Sequence, residues 1–147
     1  MRDPQKTRVY RAESSLRIGS PVEGDRGATA FVTEVLSSRW FRRTWPTAAK
    51  VSVSASWMQG QASYLMGQNR ICLPEQAAWA YTTKVLCHEL AHHVAVDAHG
   101  PEFCGSYIWI VSHAIGKEEA AQLQSRFDGL KVLYNPITYI LTEEELT

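Results

Sequence analysis

One stretch of the chain has the residue types and spacing of a metal site. His88 and His92 are four positions apart, and Glu89 follows the first of them. On a helix, residues four apart lie on one face with Cβ atoms roughly 5–6 Å apart, so two imidazoles can close on a single ion. Glu89 lies beside that face, where its carboxylate can reach a metal-bound water without being a ligand. This H-E-x-x-H spacing predicts a zinc hydrolase.

The motif is short, so an ordinary helix is the alternative interpretation. Such a helix would carry Glu and His pairs on its surface and a neutral histidine in the core. Four of the five histidines lie between positions 88 and 99, and the motif falls in a helical pattern of apolar residues. Both observations favour the metal site.

A catalytic zinc needs a third protein ligand and one open position. The metzincin pattern requires Gly at position 95 and His at position 98, and Ala95 and Ala98 exclude it. His99 is favoured as the third ligand. Gly100 directly after it interrupts the helical pattern, so the chain can reverse there and bring the imidazole of His99 to the metal. A gluzincin-like ligand from a following helix stays open. The full set of side chains considered is Asp97, His99, Glu102, His113, Glu118 and Glu119.

Residues 88–92 (H-E-L-A-H) and 99–104 (H-G-P-E-F-C) together resemble the active core of SprT-like, or Spartan-type, metallopeptidases. In that family H-E-x-x-H is followed by H-G-x-x-F, whose histidine completes the zinc site. The resemblance covers about residues 26–115. The segment 2–13 (R-D-P-Q-K-T-R-V-Y-R-A-E) is also similar to small, uncharacterised bacterial and phage metallopeptidase-like proteins that carry H-E-L-A-H-H.

The resemblance implies a Zn²⁺ ion bound by His88, His92 and His99. It also implies that the protein hydrolyses peptide bonds of a polypeptide substrate, with Glu89 as the general base that takes a proton from the attacking water. It also implies that an extended substrate pairs with the strand bordering the cleft. Spartan-type proteins often carry separate DNA-binding modules. This chain has no CxxC-based module, which argues against DNA-dependent proteolysis. For the oxyanion-stabilising residue, Tyr107 and His113 stay open, although core packing explains Tyr107 better.

Length and composition predict one domain over residues 1–147. The 147 residues are 45% hydrophobic and 20% charged, with a net charge of zero, which is ordinary for a globular domain without a global bias to nucleic acid or membrane. Three cysteines without a CxxC pair argue against a disulfide framework. No apolar run suits a signal peptide or a membrane span, so a cytoplasmic location is expected.

The first part of the chain is basic. Residues 1–50 carry 10 Lys and Arg against 5 Asp and Glu, and the rest carries 5 against 10. A predicted helix ends with three arginines that could contact the phosphates of DNA: Arg39, Arg42 and Arg43. The helix dipole is an alternative explanation, because it favours cations at a helix C-terminus. These basic residues keep a second function open, that of a metal-stabilised DNA- or protein-binding module. A third function, a zinc amidase acting on a non-peptide substrate, would use the same metal site and also stays open.

The patterns of apolar residues predict an α+β domain with a three- to four-stranded, mostly antiparallel sheet. The resemblance to SprT-like proteins implies that this domain has a minimal zincin-like fold. The motif helix is expected over 74–96, with Trp79 on its buried face. Residues 1–6 are expected to be loose, and residues 7–13 to form a strand. The other expected elements are a helix over 26–44, strands over 49–57, 61–66 and 70–73 with a turn at 58–60, and helices over 101–115 and 117–131.

Overall fold

The computed structural model describes residues 2–56 and 60–146, which contain seven α-helices and a small three-stranded sheet. The predicted α+β class is confirmed. No helix in these ranges is both long and apolar enough to cross a membrane. The helices are α1 (Lys6–Ser14), α2 (Gly24–Ser37), α3 (Arg39–Thr44), α4 (Thr83–Val94), α5 (Pro101–Ala114), α6 (Lys117–Gly129) and α7 (Glu143–Leu146), and the strands are β1 (Ser52–Ser56), β2 (Ser63–Leu65) and β3 (Arg70–Pro74).

The sheet is mixed, so the predicted antiparallel meander was wrong. The strand order is β1-β3-β2, and the central β3 pairs parallel with β1 and antiparallel with β2. Ile71 of β3, for example, lies opposite Val53 of β1 on one side and Tyr64 of β2 on the other. Alternation of apolar residues reports which face of a strand is buried, not which strand lies beside it. Trp57 and most of the predicted turn at 58–60 lie outside the described residues.

The N-terminal segment is helical and well held, so the expected loose end and the strand over 7–13 were both wrong. Val9 and Ala12 are buried and three positions apart, which is a helical spacing, and α1 packs against α6. Ahead of α1, the buried Gln5 accepts a hydrogen bond from Leu133 N (2.7 Å) and donates to His99 O (3.1 Å). The start of the chain is thereby fixed against the segment that carries the third histidine.

The predicted helix over 26–44 is interrupted at Ser38. This residue has an extended backbone (φ −67°, ψ 148°), and it separates α2 from α3. The buried stripe persists across the break, since Val32 and Val35 of α2 and Trp40 and Phe41 of α3 all belong to the core. The apolar pattern was therefore informative about burial, whereas the local turn at Ser38 was missed.

The motif helix begins later than expected. Pro74 ends β3 instead of opening a helix, and Trp79 is 53% exposed, so its predicted burial was wrong. Thr82 is the N-cap of α4, where its side chain accepts a hydrogen bond from Val85 N at 3.3 Å. A threonine cap satisfies an otherwise unpaired helix N–H, which fixes the start of α4 more strongly than the Pro-Glu pair does.

The two helices after the motif were predicted correctly. α5 begins at Pro101, directly after Gly100, and α6 begins at Lys117. α5 packs between α4 and α6, while the other side of α4 contacts β2 and β3. The motif helix is thus held between the sheet and the C-terminal helices, and residues 136–140 adopt neither helix nor strand.

Gly105 of α5 provides a test of this packing. A Cβ atom at this position would overlap the carbonyl oxygen of Asn135, whose backbone N–H donates to Pro101 O at 3.0 Å. Gly105→Ala should therefore lower the free energy of unfolding by about 1–3 kcal/mol, the usual range for overpacking. Urea unfolding measures it. Gly129→Ala is the matched control, because its Cβ would meet nothing within 4 Å. Equal stability of the two variants would contradict the close approach.

Candidate metal centre

Three imidazoles meet between α4 and the start of α5. His88 and His92 lie one turn apart on α4, and His99 reaches them from the segment before α5; one ligand atom from each lies within 4.8 Å of the others. The ring centroids are 5.0 Å apart for His88 and His92, 5.4 Å for His88 and His99, and 4.7 Å for His92 and His99. His88 and His99 are buried, and His92 is half-buried. This cluster could hold a metal ion.

A tight turn over residues 97–100 brings His99 back to α4. Ala98 has a left-handed backbone (φ 57°), and Gly100 N donates to Asp97 O at 2.9 Å. The carboxylate of Asp97 accepts hydrogen bonds from the backbone N–H groups of Glu102 and Phe103 (2.8 and 2.9 Å). The carboxylate of Asp97 is therefore occupied by backbone N–H groups of the first turn of α5. The chain reversal that was expected at Gly100 is present.

The other ligands considered from the sequence do not join the cluster. Glu102 accepts a hydrogen bond from Asn135 Nδ2 at 2.7 Å. His113 packs against Trp40 and bonds to its own helix through Trp109 O. Glu118 and Glu119 lie in the first turn of α6. Within the described ranges, the three histidines form the one group of His, Cys, Asp and Glu side chains arranged to hold an ion.

Two carboxylates from the N-terminal segment orient two of the imidazoles. His99 Nδ1 donates to Asp3 Oδ2 at 2.6 Å, and Asp3 Oδ1 also accepts from His99 N at 3.1 Å. His88 Nδ1 donates to Glu13 Oε2 at 2.8 Å, and Tyr107 donates its hydroxyl proton to the same oxygen at 2.7 Å. Carboxylates bound to Nδ1 fix the tautomer that leaves Nε2 available, an arrangement typical of metal-binding histidines.

His99 Nε2 shows that the cluster fits a metal. It is a buried side-chain nitrogen with no hydrogen-bond partner in the described part of the chain. A buried polar atom without a partner destabilises a fold by about 1–3 kcal/mol, so such atoms are rare unless a ligand satisfies them. An ion shared with His88 and His92 would supply the missing interaction.

The charges around the cluster are set by burial and by Glu13. Burial alone would lower the pKa of His88, but the carboxylates of Glu13 and Glu89 outweigh it and raise that pKa to about 9. Burial would raise the pKa of Glu13, whereas the charge of His88 and its hydrogen bond lower it overall. Burial lowers the pKa of His92 to about 3, and the positive charge of His88 adds to the effect. Without a metal, His88 is thus protonated and His92 neutral at pH 7.

Glu89 has the properties expected of a general base beside the cluster. Its carboxylate is buried, lies 4.0 Å from His88 Nε2 and lines the cleft that opens onto the histidines. Burial raises the pKa of Glu89 to about 7. The positive charge of His88 opposes this increase, and the negative charge of Glu13 adds to it. A carboxyl group with this pKa both accepts and releases a proton near neutral pH.

The cleft in front of His88 and His92 has a volume of about 560 Å³, and His99 is not among its lining residues. α1 and α4 form two of its sides, and β2 with the residues beside it forms a third. Among the described strands, β2 lies at the edge of the sheet and pairs only with β3. Three large side chains that line the cleft are exposed or half-exposed: Tyr10, Met66 and Trp79. Burial raises the pKa of the Tyr10 hydroxyl, and the charge of Glu89 adds to it.

Sequence reasoning missed the contribution of the N-terminal segment. Asp3, Tyr10 and Glu13 all contact the histidines, yet they were assigned to a loose end and a strand. The similarity of segment 2–13 to metallopeptidase-like proteins pointed at these residues without giving them a role. Of the two expected oxyanion candidates, Tyr107 is fully buried and committed to Glu13, and His113 does not line the cleft.

The three arginines proposed to contact DNA lie on α3, away from the cleft lining. Arg39 pairs with Glu144 at 3.3 Å, and Arg43 pairs with Glu145 at 3.2 Å, so α7 covers part of this surface. Exposed ion pairs of this kind contribute about 0–1 kcal/mol, so a polyanion could displace them. DNA contact through Arg39, Arg42 and Arg43 stays a prediction.

No protein-family model, no curated protein and no solved structure matches this chain. The resemblance to SprT-like metallopeptidases therefore rests on the motif residues.

The carboxylate of Asp3 should contribute to metal affinity. Asp3→Asn removes the charge that holds His99, so we expect Zn²⁺ to bind about 10–100-fold more weakly, the usual effect of losing such a partner. Competition with a fluorescent chelator measures the affinity. Asp25→Asn is the control, because that carboxylate bonds to Tyr81 away from the cluster. Identical affinity in Asp3→Asn and wild type would contradict the role of Asp3.

Zn²⁺ binding should release at least about one proton per chain at pH 7. His88 is protonated below a pKa of about 9 in the metal-free protein, and a ligand nitrogen must lose its proton before it binds. The apparent affinity should therefore rise as the pH increases from 6 to 8. Isothermal titration calorimetry in buffers of different ionisation enthalpy counts the protons. No proton release at pH 7 would show that His88 is neutral or does not bind the ion.

Proposed function

We propose that the protein is a zinc metallopeptidase of the SprT-like, zincin class, in which His88, His92 and His99 hold Zn²⁺ and Glu89 is the general base. The observation that supports it most is the cluster of three imidazoles, with its unpartnered buried nitrogen on His99, directly beside the buried carboxylate of Glu89. Three histidines with an open side are the donor set of catalytic rather than structural zinc sites.

The donor set favours zinc. All three donors are imidazole nitrogens, and the neighbouring thiols are not available as ligands: Cys87 and Cys104 are buried, and burial raises the pKa of each. Imidazole suits Zn²⁺, and carboxylate-rich sites suit Mg²⁺ or Ca²⁺ instead. When bound, the ion supplies Lewis acidity that polarises a carbonyl group and makes water more acidic.

The side chains around the ion carry out the proton transfers. Glu89 takes a proton from the attacking water and returns it to the leaving amine, since its buried carboxylate lies 4.0 Å from His88 Nε2, beside the imidazoles that would hold the ion. Asp3 and Glu13 hold His99 and His88 in the tautomer with a protonated Nδ1. Phe103 stacks on the ring of His92 (4.3 Å between centroids), which restricts the remaining imidazole.

A polypeptide is the substrate class that the cleft fits best. β2 borders the cleft and has one edge not paired to another described strand, so an extended chain can add to it through main-chain hydrogen bonds. Such binding would lay a peptide bond across the histidines beside Glu89. A zinc amidase for a non-peptide substrate would use the same centre, without needing the β2 edge. The three free cysteines favour a reducing, cytoplasmic location.

Glu89→Gln tests the function. The amide keeps the shape but cannot accept a proton, so hydrolysis of unfolded protein and of extended peptides should fall by at least about 100-fold. Zinc content should stay near one ion per chain by metal analysis. Glu102→Gln, which changes an exposed acid on α5, should keep full activity.

Three outcomes would count against this account. Retained turnover in Glu89→Gln removes Glu89 as the base. Turnover of small amides but of no peptide favours the amidase. No hydrolysis by the zinc-loaded wild type contradicts the enzyme and favours a metal-stabilised binding module.

A further inference from the structure

Amide hydrolysis places negative charge on the former carbonyl oxygen, and the proposed centre still lacks a protein donor for it. One well-placed donor at this position typically accounts for about 10²–10³ in kcat. Of the tyrosines near the histidines, Tyr107 already donates to Glu13. Tyr64 lines the cleft, but its hydroxyl is engaged by His93 Nδ1 (2.7 Å) and Asn69 Oδ1 (3.0 Å).

Tyr10 is placed differently. It lies on α1 one turn before Glu13, so both side chains lie on the same side of the helix. Its ring is stacked over His88 (6.0 Å between centroids, 10° between planes) and meets His99 edge-on at 5.0 Å. These two contacts hold the phenol against the imidazoles that would bind the ion.

The hydroxyl of Tyr10 is free to interact with a substrate. The residue is 46% exposed, lines the cleft together with Glu89, and makes no hydrogen bond to any other residue of the described ranges through its hydroxyl. A phenol is protonated near neutral pH and donates one hydrogen bond. Lys6 Nζ lies 6.0 Å from the ring centroid and lines the same cleft, and its positive charge favours an anionic oxygen nearby.

We infer that Tyr10 is a catalytic residue whose hydroxyl group donates a hydrogen bond to the carbonyl oxygen of the scissile peptide bond as that oxygen becomes negative. This role rests on the proposed function. The proton stays on Tyr10 throughout, so the proton balance is unchanged: Glu89 takes one proton from water and delivers it to the amine. Tyr10 stabilises the charged oxygen more than the neutral carbonyl, which raises kcat rather than ground-state affinity.

Tyr10→Phe in the zinc-loaded full chain tests this role, because it removes one hydroxyl and keeps the ring packed on the imidazoles. We expect kcat on a peptide to fall by about 10²–10³-fold, with KM changed by less than about threefold and zinc content unchanged. Tyr139→Phe is the matched control, because Tyr139 has a similar exposure and lies outside the cleft lining. Thermal unfolding should show both variants to be folded.

A peptide phosphonate provides a readout that does not depend on turnover. Its tetrahedral, negatively charged group imitates the charged oxygen, so its dissociation constant should rise at least about tenfold in Tyr10→Phe and stay unchanged in Tyr139→Phe. Calorimetry measures both. If zinc-loaded wild type hydrolyses no peptide, the proposed function fails, and weaker phosphonate binding by Tyr10→Phe still supports the donor.

Four results would overturn the inference. They are equal kcat in Tyr10→Phe and wild type, equal phosphonate affinity in the two proteins, no phosphonate binding to zinc-loaded wild type, and loss of zinc from Tyr10→Phe. The last would make Tyr10 a metal ligand instead of a donor to the substrate.

Discussion

Two partly buried hydrogen bonds between carboxylates and imidazoles hold the cluster of histidines in place. Asp3 bonds to His99 and Glu13 bonds to His88, across 96 and 75 positions of sequence. Hydrogen bonds to an ionised carboxylate are short and roughly twice as strong as neutral ones, and low local dielectric strengthens them further. They occupy Nδ1 of His88 and of His99, so Nε2 of each ring remains to bind an ion once His88 has lost its second proton. The N-terminal segment is therefore part of the centre, and the centre in turn anchors the segment.

The same few elements divide the chemistry among them. α4 supplies His88, Glu89 and His92, so two of the proposed metal ligands and the proposed base share one helix. α1 supplies Tyr10 and Glu13, which both line the cleft, and α5 supports Glu13 through Tyr107. The sheet contributes β2 as a wall of the cleft. A short chain can hold such a centre because each supporting side chain is itself buried or hydrogen-bonded.

The part of this arrangement that local signals encode was predictable. The correct predictions include the four-residue spacing on α4, the chain reversal at Gly100 and the start of α5 at Pro101. These features identified the three histidines that cluster in the structure. The supporting residues were not predictable, because Asp3, Tyr10 and Glu13 reach the histidines only through long-range packing of α1. Parallel pairing of β1 with β3 is equally non-local, and the exposure of Trp79 depends on where α4 starts. Helical spacing of Val9 and Ala12 was the one local clue to α1.

The central claim is that three imidazoles bind a zinc ion and leave one position open for a small molecule. X-ray absorption at the zinc edge, on protein loaded with one equivalent of Zn²⁺, tests it most directly. The account predicts three imidazole nitrogens and one further light atom at about 2.0–2.1 Å, with one imidazole fewer in His99→Ala. A sulfur atom at about 2.3 Å, or an imidazole count that His99→Ala leaves unchanged, would contradict it.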